Sequence, residues 1–215
     1  MQKTSAIVLA GGHSLRMGTN KASLKLDGKN TMVERVISAV QPITNEVLLV
    51  SDAEMALPPW VRHVKDAPLG HGCLRGLYSG LSAALGDYCL VVACDLPFLN
   101  RELLRYMLDY PHNHDALVPR LTHPQRGYEL HPLHAVYSKR CLEAIVHTFT
   151  IGQDAIHDIY PHIKIHYLEE KEINTFDPQH LSFFNLNTPT DLARAREIMR
   201  SDLVHSNKLP ALAIS

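Results

Sequence analysis

The stretch SAIVLAGGHSLRMGTNK, residues 5 to 21, decides how this chain is read. It opens with SAIVLA (5 to 10), a short, continuous apolar run of the kind that forms a strand buried on both faces. The run ends on glycine, and LAGGHSLRMGTNK (9 to 21) then combines Gly11, Gly12 and Gly18 with the cations Arg16 and Lys21. Glycine lets backbone N–H groups wrap an anion where a Cβ would clash, and the two cations supply charge against phosphate. A bland surface turn has no need of such closely spaced glycines and cations, so the segment reads as a phosphate cradle at the carboxyl end of a strand. It is not a Walker A loop, in which Lys follows the last Gly, because Thr19 and Asn20 follow Gly18; nor does it fit GxGxxG.

Working outward, EVLLV (46 to 50) and YCLVVAC (88 to 94) repeat the buried-strand pattern, and VRHVKD (61 to 66) is a shorter candidate. Helical periodicity marks TMVERVISAVQ (31 to 41), after the turn-like DGKN, and RGLYSGLSAAL (75 to 85). Strand and helix alternate, which predicts an α/β Rossmann-like three-layer fold with a mostly parallel central sheet. Further along, RELLRYMLDY (101 to 110) reads as a helix with Asn100 as its N-cap, and SKRCLEAIVHTF (138 to 149) as another. DALVPR (115 to 120), PLHAVY (132 to 137) and IKIHYL (163 to 168) read as strands. The last helix is TPTDLARAREIMR (188 to 200), with Thr188 as cap, Pro189 in the first turn and Asp191 completing a capping box. One domain over residues 1–200 is expected, its N-terminal half binding nucleotide and its C-terminal half the acceptor, with a tail over 201–215.

Charge narrows the partners. Twenty-one Lys and Arg stand against 22 Asp and Glu, for a formal net charge of -1. The cations are scattered, so a nucleic-acid partner is not expected. No apolar run reaches the roughly 18 residues of a membrane span, so no membrane partner is expected either, and the cytoplasm is the expected compartment. Cys73, Cys89, Cys94 and Cys141 form no CxxC pair, which argues against a structural zinc site. The pairs His112/His114 and His131/His134 lack companions at metal-ligand spacing and read as ordinary exposed histidines.

A second segment carries chemistry: in VVACDLPFL (91 to 99) a buried run stops at Asp95. In open α/β sheets ligands sit outside the carboxyl ends of the strands, where Asp95 and the glycine turn both emerge. A carboxylate beside a triphosphate suits Mg²⁺, which prefers one or two carboxylates plus phosphate oxygens. The bland alternative is an N-cap or turn acid. Asp66, closing VRHVKD, is a second candidate of the same kind.

LAGGHSLRMGTNK, Asp66 followed by GCLRGLYSGL, VVACDLPFL, HPLHAVY and FFNLNTPTDL run in order from residue 6 to about 195. Together they resemble the molybdenum cofactor guanylyltransferase family; the first motif alone marks the wider nucleotidyltransferase superfamily. The resemblance implies the nucleotide-diphospho-sugar transferase type of fold, GTP as nucleotide and Mo-molybdopterin as acceptor. By matching position, the backbone of Leu9, Ala10 and Gly11, with Gly12 beside them, and the side chain of Lys21 would contact GTP. Asp66 would touch the nucleotide and Asp95 would bind it through Mg²⁺. Asn185, Asn187 and Thr188 fall in the family's NxNTP motif, associated with the molybdopterin side; a plain helix cap is the competing reading there. Lys21, Arg16 and Asp95 are the expected catalytic groups. Contacts with other cofactor-biosynthesis proteins or apo-molybdoenzymes are implied as well. The chain departs from the family at Cys73, where proline is common, at Arg75, where a small residue is common, and at Ser51, often Asn in relatives.

Three other readings remain at this point. One is a relative with another base or acceptor, such as a molybdopterin cytidylyltransferase or a sugar-phosphate guanylyltransferase. The second is a nicotinamide-dependent oxidoreductase, suggested by Gly70, Gly72 and Gly76 before a helix. The third is a catalytically silent nucleotide-binding module.

Overall fold

A computed structural model of the chain describes residues 3–11 and 24–206, with side chains through 201. Strand β1 (Thr4–Leu9) is followed by helix α1 (Met32–Val40), strands β2 (Glu46–Val50) and β3 (Val61–Val64), helix α2 (Gly72–Ala83) and strand β4 (Tyr88–Ala93). Then come α3 (Arg101–Asp109), the hairpin β5 (Ala116–His123) and β6 (Gly127–Leu130), β7 (His134–Ser138), α4 (Cys141–Thr150), β8 (Ile165–Glu169), α5 (Glu170–Ile173) and α6 (Pro189–Ser206).

The strands form one sheet among the described residues, in the order β3-β2-β1-β4-β7-β5-β6, with β8 against β5. Parallel pairs join β3 to β2, β2 to β1, β1 to β4 and β5 to β8, while β7 and β6 run the other way. The expected mostly parallel three-layer sheet is therefore observed.

The buried runs divide their side chains between two layers because successive strand residues face opposite ways. Ala6 and Val8 of β1, Val47 and Leu49 of β2, and Leu90 and Val92 of β4 pack under α1 and α3. Ile7 and Leu9, Leu48 and Val50, and Cys89 and Val91 pack under α2 and α4. A strand flanked by helices on both sides needs apolar residues at every position, which is why these segments show no alternation.

Helix starts carry the expected caps at Asn100 and Thr188, and a further one at Thr31, which the periodicity places inside its helix. Thr31 and Glu34 form a capping box on α1, with Glu34 N donating to Thr31 Oγ1 at 3.2 Å and Thr31 N to Glu34 Oε2 at 2.7 Å. Asn100 Oδ1 accepts from Glu102 N and Leu103 N at 3.0 Å, and Asp191 N donates to Thr188 Oγ1 at 3.1 Å. The departures are local. α2 begins at Gly72, where φ is +60°, three residues before the apolar period starts, because the glycine lets the loop turn into the helix. α4 starts only at Cys141, since β7 stays extended through Ser138. β6 was not legible, because GYEL is mostly exposed and carries no apolar run. α6 continues to Ser206, into the stretch read as tail.

One glycine tests the packing of α2 on the sheet. A Cβ on Gly80 would run into Ile7 Cγ2 and lie 3.0 Å from Ile7 Cδ1. Alanine at an exposed helical glycine normally adds about 0.5–1 kcal/mol, whereas overpacking a core contact costs about 1–3 kcal/mol. Gly80→Ala is therefore expected to lower stability by about 1–3 kcal/mol in urea unfolding; stability at or above the parent's would refute the tight helix–strand contact.

Candidate active site

The strand order reverses beside β1: from β1 the chain moves outward to β2 and β3, then returns through α2 to β4 on the other flank. Such a switch point leaves a crevice outside the carboxyl ends of the strands. The register fixes what lines it. Leu9 pairs with Ala93, Cys94 N donates to Leu9 O at 3.0 Å, and Ala10 N donates to Val50 O at 3.0 Å. The glycine turn and Asp95 therefore leave adjacent strands at the same edge. Leu9 and Ala10 are buried and half-buried, and Gly11 is exposed at the rim. Gly12, Arg16 and Lys21 lie outside the described residues.

Asp66 joins them although its strand lies two positions away. The loop after β3 carries it back across the sheet edge, so that a Cβ on Gly11 would lie 3.7 Å from Asp66 Oδ2 and one on Gly76 3.8 Å from Asp66 Oδ1. Only 7% of the Asp66 side chain is accessible, and its Oδ1 is enclosed with no hydrogen-bond partner. Arg75, on the first turns of α2, compensates this buried charge through Nη2 at 2.9 Å from Asp66 Oδ2, and the same Nη2 lies 3.0 Å from Asp52 Oδ2. Ala67 N donates to Ser79 Oγ at 2.8 Å, and Ser79 Oγ to Arg75 O at 2.8 Å, so the residue after Asp66 is tied to the same helix.

Cys73 lies in the first turn of α2, two residues before Arg75. Its thiol is pushed up by desolvation and then by the charges of Asp95 and Asp66. A raised thiol is a poor nucleophile, so the exposed Cys73 is no candidate for covalent chemistry. Among the described residues no group of three or more His, Cys, Asp or Glu side chains is arranged to hold a metal ion. No all-protein metal cage is built there, and the donors that remain are the hard carboxylate oxygens.

The C-terminal half reaches the same point. Leu186 N donates to Asp95 O at 2.9 Å, which seats Asn185, Asn187 and Thr188 beside the acid. All three are exposed. Thr188 is spent in part on its capping box, because Thr188 N and Oγ1 both donate to Asp191 Oδ2, at 2.7 and 2.9 Å. Behind this turn Ser182 is a hub: Asn100 N donates to Ser182 Oγ at 2.9 Å, His134 Nε2 is bonded to it at 2.8 Å, and Ser182 N donates to Asp177 Oδ2 at 2.8 Å.

Two expectations need correction. His114 and His134 are buried, not exposed, because they begin or precede strands in the sheet interior. The glycines read as a dinucleotide fingerprint serve packing and turning instead. Gly76 sits against Leu9, and a Cβ on Gly70 would meet the Phe149 ring. The sequence reading also missed Arg75 and Cys73 as site residues; their signal was the departure of GCLRGL from the common GPLAGL.

This crevice, with a glycine turn and two acids on one side and a polar helix start on the other, defines a nucleotide-binding α/β protein of the nucleotidyltransferase kind. The sequence pattern of the MobA-like NTP transferase domain matches residues 6–162, and the chain belongs to that family. It is 38% identical to a probable molybdenum cofactor guanylyltransferase of Pelotomaculum thermopropionicum, over 91% of this chain and 93% of the relative. It is 33% identical to the molybdenum cofactor guanylyltransferase of Desulfosudis oleivorans, over 94% and 98%. Among solved structures, molybdopterin-guanine dinucleotide biosynthesis protein A of Archaeoglobus fulgidus superposes with a TM-score of 0.77 at 26% identity, over 92% of this chain and 99% of that one. The 2-C-methyl-D-erythritol 4-phosphate cytidylyltransferase of Thermus thermophilus, at 19% identity and a TM-score of 0.69 over 93% and 100%, shares the fold.

The buried His134 has a consequence for stability. Burial pushes its imidazole from the usual 6.5 down to about 3. The unfolded chain takes up the proton near 6.5 while the folded one resists until about 3, so this contribution is complete above 6.5 and is lost as the pH falls through that window. His114, pushed down to about 4 by burial, acts in the same direction. Thermal melting of His134→Gln between pH 7.5 and 4.5 should show a smaller fall in Tm than the parent. An equal fall in both would contradict the buried neutral state.

Proposed function

We propose that this nucleotidyltransferase moves GMP from Mg-GTP to the terminal phosphate of Mo-molybdopterin and releases pyrophosphate. The observation that carries the reading is the junction at Asp95: it follows β4 at the same sheet edge where Gly11 follows β1, and its carbonyl anchors the NLNTP turn through Leu186. Donor and acceptor sites built on one residue suit a transfer between two phosphorylated ligands. The names of the relatives support the choice of substrates.

In the proposed step an oxygen of the acceptor's phosphate monoester attacks the α-phosphorus of GTP. A P–O bond forms there, and the bond from the α-phosphorus to the bridging oxygen breaks, so pyrophosphate carries away the electron pair. The monoester is already anionic at neutral pH, so the chain need not supply a general base. Its work is positioning and charge compensation. The backbone of Leu9, Ala10 and Gly11, with Gly12, contacts the nucleotide where the chain leaves β1, and Lys21 and Arg16 offset the charge that develops on the phosphate. Asp95 would hold Mg²⁺, with Asp66 nearby; a site of one or two carboxylates fits a cation that arrives with triphosphate oxygens. When bound, that ion supplies further charge neutralisation on the phosphates. Asn185, Asn187 and Thr188 face the acceptor, where an exposed helix start suits an anionic group. The cysteines are held as thiols, not disulfides, which suits a reducing compartment, and the cytoplasm is the proposed one.

The test has two parts. Isothermal titration with GTP, CTP and ATP, with and without Mg²⁺, should show GTP bound in preference and only weakly without the metal. Pyrophosphate release in the presence of molybdopterin should fall on the order of a hundred- to thousandfold in Asp95→Asn and in Lys21→Ala. Folded variants turning over at the parent rate would overturn these roles.

A further inference from the structure

The glycine turn occupies the end of β1, and Asp95 with the NLNTP turn occupies the β4 flank. If triphosphate and acceptor lie over those two, the nucleoside must lie on the opposite flank, over the ends of β2 and β3. Three residues from three elements meet there: Asp52 after β2, Asp66 after β3 and Arg75 on α2.

Their polar groups are unevenly used. Both carboxylates take the same Nη2 of Arg75, and Nη1 bonds to no described residue although the side chain is 28% accessible. Asp66 Oδ1 is likewise left over, enclosed and without a hydrogen bond. Ser51, at the end of β2, offers nothing to a ligand. It is 1% accessible, and its hydroxyl donates to Ala53 O at 3.2 Å and accepts from Ala53 N at 3.0 Å. The wall thus presents Nη1 of Arg75 as a donor that no described residue uses, on a guanidinium held by ion pairs, while Asp66 Oδ1 is enclosed behind it.

We propose that Arg75 is a specificity-determining residue for the nucleobase: its Nη1 donates to the O6/N7 edge of guanine, while its Nη2 is held by Asp66 and Asp52, which fixes the guanidinium. Guanine presents two acceptors on that edge and Arg matches them, whereas adenine places an amino donor beside N7 and is mismatched. Much of the ordering comes from the Asp66 contact, because that carboxylate is enclosed. The Asp52 carboxylate is 63% accessible, and an ion pair so exposed contributes little.

The inference rests on the nucleotide reading of the site, and its test separates the two. Titrations of GTP and ATP into the parent, Arg75→Ala and Arg75→Lys are paired with amide hydrogen exchange of the nucleotide-free proteins. Arg75→Ala should weaken GTP about tenfold and narrow the preference for GTP over ATP by a similar factor, on the scale of one lost charged hydrogen bond. Its KM for GTP should rise by more than its kcat falls. Without nucleotide, exchange at Asp52, Ala53 and Ala67 should quicken. Arg75→Lys should recover part of the affinity and less of the preference, because an ammonium lacks the planar fork. A parent that binds no nucleoside triphosphate would sink the functional reading, and with it the base assignment, while the exchange rates still judge the clasp. A parent that binds GTP, alongside an Arg75→Ala variant of equal affinity and preference, would sink the Arg75 assignment alone.

Discussion

The pairing of β1 with β4 is the constraint on which the site depends. These strands are close neighbours in space but lie far apart in the chain, and their parallel register sets Leu9 opposite Ala93. The bond from Cys94 N to Leu9 O then carries the register one step past the strand ends. Glycine turn and acid emerge together only because this ladder is in register, and a slip by one residue would turn Asp95 to the other face of the sheet. Burial holds the register: β1 and β4 present apolar side chains to helices on both faces, so any slip would expose several of them.

Around that ladder the two halves of the molecule are fastened differently. The flank toward β3 is held by charge, through Asp66, Arg75 and Asp52, and by the small hydroxyl of Ser79. The flank beyond β4 is held by hydrogen bonds that converge on Ser182, one of them to the Asp177 carboxylate, and by the backbone bond from Leu186 to Asp95. The hub gives the N–H and hydroxyl of the buried Ser182 their partners, so neither is left unsatisfied in the core.

The family resemblance and the geometry agree on which loops matter, but they carry different information at Arg75. By resemblance alone, an arginine in place of a small residue is a blemish in the motif. In the fold it is the counter-ion of an enclosed carboxylate, and its length is what reaches Asp52 on a different loop.

By itself the sequence determined the layers, the strand and helix segments, the caps at Asn100 and Thr188, and the two carboxyl-edge motifs. Each of these follows from local periodicity, from residues a few positions apart or from the glycine content of a turn. It did not reveal the exposed strand β6, which has no apolar pattern, or the burial of His114 and His134, whose environment is supplied by other strands. Only the tertiary structure decided that Asp66 reaches Gly11, that Arg75 joins two loops and that Leu186 rests on Asp95. Those contacts join residues distant in the chain, and they form because the order of strands in the sheet differs from their order in the sequence.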